Sequence, residues 1–105
     1  MSATRERLAN RRHSETFEIV AAGGMGYRVT ISRYADGRVA EIFIANHKVG
    51  SDADAAAKDS AVVASIALQF GVPLETIRHA LLRDSRGVAS SPLGVALDRI
   101  AELEP

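Results

Sequence analysis

The first half of the chain alternates apolar and polar residues with a period of two, which is the pattern of half-buried strands. Glycine-containing turns separate three such segments, and we predict strands over Thr16–Ala21, Tyr27–Tyr34 and Arg38–Ala45. The turn over residues 35–37, which reads ADG, is typical of a hairpin because glycine readily adopts the left-handed conformation. The pattern therefore predicts a three-stranded antiparallel meander.

The second half of the chain has the longer periodicity of amphipathic helices. A first helix is predicted to begin at Ser51 or Asp52, either of which can cap it, and to end at Gly71. A second helix is predicted over Pro73–Arg83, and a third begins at Pro92 after a serine cap. The order βββααα predicts one α+β domain with the three helices packed on one face of the sheet.

The first predicted helix has unusually little polar surface. At 100° per residue, a narrow polar stripe contains Asp54, Lys58, Ser65 and Gln69, and large apolar residues fill most of the remaining circumference. We expect such a helix to be covered on more than one side, which favours a homodimer. Asp59 projects from the apolar side, so we expect a buried carboxylate there. A structural pair with an arginine is the favoured interpretation, and a catalytic role is the alternative.

The N-terminal segment differs in character from the rest of the chain. Residues 1–15 carry four arginines and two glutamates, and we expect a polar arm that is disordered or loosely held. The alternative is an electrostatic contact to phosphate or to an acidic partner. Residues 16–105 are expected to form the single domain.

Composition excludes several classes of function. The formal net charge is zero, so no global field attracts nucleic acid, and we expect no specific DNA binding. The chain contains no cysteine, which excludes disulfides, cysteine-ligated metals and self-contained thiol chemistry. The three histidines have no metal-binding spacing, and we expect no metal site. No apolar run approaches the roughly 18 residues of a membrane span, and the expected location is the cytoplasm.

Two segments are candidate anion sites. The first leads into a helix N-terminus, where free N–H groups and the helix dipole attract phosphate, and it contains Lys48, Gly50, Ser51 and Asp52. The second contains Arg83 and Arg86, which precede the serine cap of the third helix. The favoured interpretations are a plain helix cap for the first segment and a solvated connection for the second, with anion binding as the alternative.

The outward face of the third strand suggests a docking surface. Val39 and Phe43 share that face in the period-two pattern. Exposed apolar groups on a sheet are typical of a contact with a second copy or with another protein. We therefore name both residues as candidates for partner docking.

Several short motifs resemble one known family. They are Asp36-Gly37, Glu41-Ile42-Phe43-Ile44, Lys48, Gly50-Ser51-Asp52 and the run SIALQFGVPLE over residues 65–75. Together they resemble the TSCPD domain, which is found near the C-terminus of cobalamin-dependent (class II) ribonucleotide reductases. The resemblance covers roughly residues 26–83.

The resemblance implies a role in deoxyribonucleotide metabolism. The family takes its name from a cysteine-containing tail motif, which this sequence lacks, as it lacks the reductase barrel with its cysteines. The chain therefore resembles a free-standing relative, and the resemblance implies an accessory or regulatory module that binds a ribonucleotide reductase or another protein of nucleotide metabolism. A small nucleotide- or phosphate-binding protein and a homodimeric scaffold are the alternatives. Cobalamin belongs to the family association alone, and we expect this chain to bind no cofactor itself.

Overall fold

The computed structural model of the protein describes residues 4–104. The strands are β1 (Ser14–Val20), β2 (Gly26–Arg33) and β3 (Val39–Asn46), and they form one antiparallel sheet in the order β1-β2-β3. The helices are α1 (Asp52–Gln69), α2 (Leu74–Ala80) and α3 (Pro92–Leu103). The predicted α+β class, a three-stranded meander followed by three helices, is confirmed.

The hairpin between β2 and β3 closes as the sequence predicts. Gly37 has a φ of 93°, and its N–H donates to the carbonyl of Tyr34 at 2.9 Å. The N–H of Tyr34 in turn donates to the carbonyl of Arg38, also at 2.9 Å. Glycine suits this position because a Cβ disfavours positive φ.

The hydrophobic core lies between the inner face of the sheet and the helices. It contains Ile19, Tyr27, Val29, Ile31, Ile42, Ile44, Ala57, Ala61, Ala64, Leu68, Leu93, Ala96, Leu97 and Ile100. Burial of one isoleucine or leucine side chain stabilises the fold by about 1.5–3 kcal/mol. The contribution of α1 is mainly alanine, which allows its backbone to approach β3 closely. Within residues 4–104, no helix is long and apolar enough to cross a membrane.

The connection between α2 and α3 differs from the prediction. α2 ends at Ala80 instead of Arg83, because Leu81 has an extended backbone with φ −82° and ψ 153°. The chain then forms a tight loop, in which the N–H of Ser90 donates to the carbonyl of Leu82 at 3.0 Å. Hydrogen bonds across this loop take the place of the last predicted helical turn.

The face of α1 that points inward is not the one that hydrophobicity suggests. Asp54 is 2% exposed and Ser65 is 8% exposed, whereas Val63 is 67% exposed. Asp59 lies on the exposed side of the helix, so the prediction of a buried carboxylate at this position is wrong. The buried carboxylate of α1 is Asp54, because the polar stripe faces β3.

Candidate functional site

The polar stripe of α1 binds the backbone of β3, which is an edge strand of the sheet. The Ser65 hydroxyl accepts a hydrogen bond from the N–H of Ile42 at 2.8 Å. Further along the helix, the Gln69 amide donates to the carbonyl of Ala40 at 3.0 Å. Unpaired edge groups otherwise attract other strands. Side chains of α1 therefore occupy an edge that would be open to another chain.

Asp54 continues this series at the start of the helix. One carboxylate oxygen accepts from the N–H of Asn46 at 2.9 Å, and the other accepts from the N–H of Gly50 at 3.0 Å. The ammonium group of Lys58 lies 2.9 Å from the second oxygen. The hydrogen bond from Lys58 and those from the two N–H groups lower the pKa of Asp54 to about 2. Asp54 is therefore a fixed negative charge at the N-terminus of α1.

The first candidate anion site is a helix cap in the structure. The hydroxyl of Ser51 accepts from the N–H of Asp54 at 3.1 Å and donates to the carbonyl of Lys48 at 2.9 Å. Gly50 takes the turn with a φ of 80°, and the side chains of Lys48 and Asp52 are exposed. The four predicted residues do lie together. However, the carboxylate of Asp54 and the hydroxyl of Ser51 already bind N–H groups that a ligand would need.

The second candidate site is held by an internal ion pair. Arg83 forms two contacts with the carboxylate of Asp98 on α3, at 2.6 and 2.8 Å, and Arg78 adds a third at 2.8 Å. These arginines, Arg83 foremost, lower the pKa of Asp98. Arg86 lies apart and contacts Asp84 at 3.2 Å. This cluster joins the α2–α3 loop to α3 and shares no hydrogen bond with the cap of α1.

An apolar surface, which we call the α1 patch, consists of Val62, Val63, Ile66 and Phe43. Phe43 is 50% exposed on the outer face of β3, and it lines a hollow of about 340 Å³ together with Val62 and Lys58. Val39, the other residue predicted for docking, is partly buried and packs against the core. The register of β2 and β3 shifts beside it, between Ser32 and Arg33. Only Phe43 of the predicted pair therefore belongs to the patch.

The described part of the N-terminal arm, from residue 4, packs on the domain. The N–H of Glu6 donates to the carbonyl of Gln69 at 2.8 Å, and the Arg5 guanidinium donates to the side-chain oxygen of the same glutamine. Glu6 also pairs with Arg38 at 3.1 Å. In the middle of the arm, Arg12 pairs with Glu41 at 2.9 Å. The sequence predicts the arm's charge but does not reveal these contacts, which depend on the tertiary path of the chain.

The arm and the β2–β3 hairpin enclose a groove of about 490 Å³, which we call the arm groove. Its charged and aromatic lining residues are Glu6, Arg7, Arg11, Arg12, His13, Arg33, Tyr34, Asp36 and Arg38. Five arginines therefore face one hollow with two carboxylates. The sequence offers a partial signal, since four arginines fall in the first 15 residues, but Arg33 and Arg38 join them only through folding.

Comparisons with known proteins give relatives over about 70% of the chain. The chain is 41% identical over 75 residues to the vitamin B12-dependent ribonucleotide reductase of Agrobacterium fabrum. The matched segment is 71% of this chain and 6% of that protein. It is 42% identical over 73 residues to the protein of the same name from Rhodopirellula baltica, covering 70% of this chain and 7% of the relative. The chain thus spans a small part of the length of these relatives. No solved structure matches it.

The family model supports the same relationship over a longer segment. The model of the TSCPD domain matches residues 4–101, which include the arm, the sheet and all three helices up to the last turn of α3. The resemblance carried by the run at residues 65–75 is therefore confirmed. Since the match covers almost the entire chain, this protein belongs to the TSCPD domain family.

Proposed function

We propose that the chain is an accessory domain in ribonucleotide reduction and that it acts by binding a larger protein. The relatives that support this proposal are vitamin B12-dependent ribonucleotide reductases, in which the similar segment is 6–7% of the length. The sequence contains no cysteine, so any thiol that the reaction requires must come from residues outside this sequence. The domain would then contribute to regulation or assembly.

The α1 patch is the observation that carries this proposal. The solvent-facing side of a helix in a small domain is ordinarily polar. Here Val62 and Val63 are both more than half exposed, and Val62 lines one hollow together with Phe43. Charged residues, among them Arg28 and Lys58, border the apolar groups. An apolar centre with a polar rim is the usual composition of a protein–protein interface.

A second copy of the chain is the alternative occupant of the same surface. The exposed side of α1 can pack against its own counterpart, and a homodimer of this kind would bury Val63 in both copies. The cap at Gly50 and Ser51 gives the nucleotide-binding alternative less support, because Asp54 places a negative charge there.

The test uses two valines with matched exposure. Val63 in the α1 patch is 67% exposed and Val20 on β1 is 66% exposed. Sedimentation velocity is measured on three mixtures with the purified B12-dependent reductase of the same cell. They contain the unmodified chain, the variant Val63→Lys and the variant Val20→Lys. We expect a complex with the unmodified chain and with Val20→Lys, and its loss with Val63→Lys. Self-association without reductase binding would establish the homodimer. A chain that remains monomeric in every mixture would contradict both.

A further inference from the structure

Three of the five arginines that line the arm groove form ion pairs within the fold. Arg12 pairs with Glu41 at 2.9 Å, and Arg38 pairs with Asp36 at 2.7 Å and with Glu6 at 3.1 Å. Arg33 contacts two carboxylates from outside the groove, Glu15 at 2.8 Å and Glu104 at 2.7 Å.

Two further arginines of the groove have no such partner. Within residues 4–104, neither Arg7 nor Arg11 forms an ion pair, although both line the groove. Their guanidinium groups are cations with unused donors, and they stand next to three arginines that hold a defined position through their own pairs.

We propose that the arm groove is a binding site for a small anion with two or more linked phosphoryl groups. A volume of about 490 Å³ falls within the range of about 300–1,000 Å³ that is usual for small-ligand sites. Guanidinium groups match phosphate oxygens in pairs, which makes arginine the preferred residue for such anions. Arg7 and Arg11 bind one end of the anion, and the guanidinium of Arg38 lies on the hairpin side.

The shape of the groove favours a compact ligand over a nucleic-acid strand. Binding of single strands relies on aromatic platforms for the bases. The aromatic ring in the groove is that of Tyr34, and the Arg38 guanidinium already covers it at 4.6 Å from the ring centre. The zero net charge also provides no extended field along which a long polyanion would lie.

A bound polyphosphate would connect the arm to the body of the domain. The arm is fixed near its start by Gln69 and in its middle by Glu41, and Arg7 and Arg11 lie on the arm around these points. The ligand would therefore hold the arm against the β2–β3 hairpin. This site shares no lining residue with the α1 patch, and the proposal is independent of the accessory function.

The test is a calorimetric titration of the full chain with sodium tripolyphosphate at low salt. The double variant Arg7→Gln, Arg11→Gln removes two cations that make no ion pair in the fold. The control, Arg28→Gln with Arg99→Gln, removes two exposed arginines elsewhere. We expect a dissociation constant below millimolar for the unmodified chain, at least a tenfold weakening in the groove variant, and less than a twofold change in the control. The melting temperatures without ligand show that each variant is folded.

Four results would overturn the proposal. The first is the absence of binding to the unmodified chain at millimolar tripolyphosphate. The second is an equal loss in the control, which would indicate attraction to any arginine. The third is orthophosphate binding as tightly as tripolyphosphate, because linked phosphoryl groups would then bring no advantage. The fourth is a single-stranded oligonucleotide that binds more tightly and is not displaced by tripolyphosphate.

Discussion

The hydroxyl group of Ser65 contacts both backbone polar groups of Ile42. Its oxygen accepts a hydrogen bond from the N–H at 2.8 Å and lies 3.1 Å from the carbonyl oxygen, to which it can donate. The carbonyl of Ala61, 2.8 Å away on the preceding helical turn, is a second acceptor for the same proton. One side chain of α1 thus satisfies an edge residue of the sheet, and three predictions concern this helix.

Replacement of Ser65 by alanine should destabilise the protein by about 1–3 kcal/mol, because it leaves the buried N–H of Ile42 without a partner. Urea unfolding measures the free energy. The matched control is Ser60→Ala on the same helix, since the Ser60 hydroxyl donates only to the carbonyl of Ala57. This control should cost less than about 0.5 kcal/mol. Equal losses in the two variants would show that the contact with β3 is unimportant.

Asp54 should make the stability depend on acid pH. Its pKa is about 2 in the folded protein, below the ordinary value of 3.8, so folding favours the ionised form. This stabilisation is complete above the ordinary value and is lost as the pH falls from about 4 to about 2. The difference in unfolding free energy between the unmodified chain and Asp54→Asn should therefore be constant at neutral pH and shrink in that window. A difference that grows on acidification would refute the assignment.

Enlargement of Ala61 tests which face of α1 points inward. Ala61 is 1% exposed against the sheet, whereas Val63 is largely in solvent. The variant Ala61→Leu should lose about 1–3 kcal/mol through overpacking, and Val63→Leu should change stability by less than about 0.5 kcal/mol. Thermal unfolding of the two variants provides the comparison. The opposite order would mean that the large aliphatic residues form the buried side.

Asp98 should hold the loop between α2 and α3 in place. Its side chain is 28% exposed and contacts Arg78 and Arg83, so Asp98→Asn should cost about 1 kcal/mol and less at high salt. Hydrogen exchange should accelerate in residues 82–90, which connect to α3 through Arg83. Glu102→Gln, an exposed change one turn further along α3, is the control. If exchange in the loop is the same in both variants, the ion pairs do not order it.

The sequence predicts the layout of the fold because each signal for it is local. Alternation identifies the three strands, a DG turn identifies the hairpin, and Ser51 and Gly71 mark the ends of α1 to within two residues. The error of three residues at the end of α2 has the same origin, because a helical pattern continues past Ala80 while pairing across residues 82–90 ends the helix.

The inward face of α1 could not be predicted in this way. Periodicity gives the angle between two side chains but not the direction of the sheet, and hydrophobicity assigns Val63 and Asp59 to the interior. Two requirements reverse that assignment. Close approach to β3 needs small residues such as Ala61, and the free edge of the strand needs polar partners such as Ser65. Neither requirement is visible before the strand and the helix are placed together.

The arm groove depends even more on tertiary structure. Arg11 and Arg38 are 27 positions apart in the sequence and line one hollow because Gln69 and Glu41 fix the arm. By contrast, the predicted cap residues at 48–52 are adjacent in the chain, and the sequence groups them correctly. It does not show that the carboxylate of Asp54, two residues further on, occupies the N–H group of Gly50.

The polar side of α1 also determines which edge of the sheet can pair with a further strand. Strand β3 is occupied along its outer side by Asp54, Ser65 and Gln69, so a partner that extends the sheet by one strand must pair with β1. Such a domain can pair with a neighbouring chain at the β1 edge of its sheet, whereas the β3 edge resists the edge-to-edge pairing that leads to aggregation. A substitution that removes the hydroxyl of Ser65 would therefore threaten solubility as well as stability.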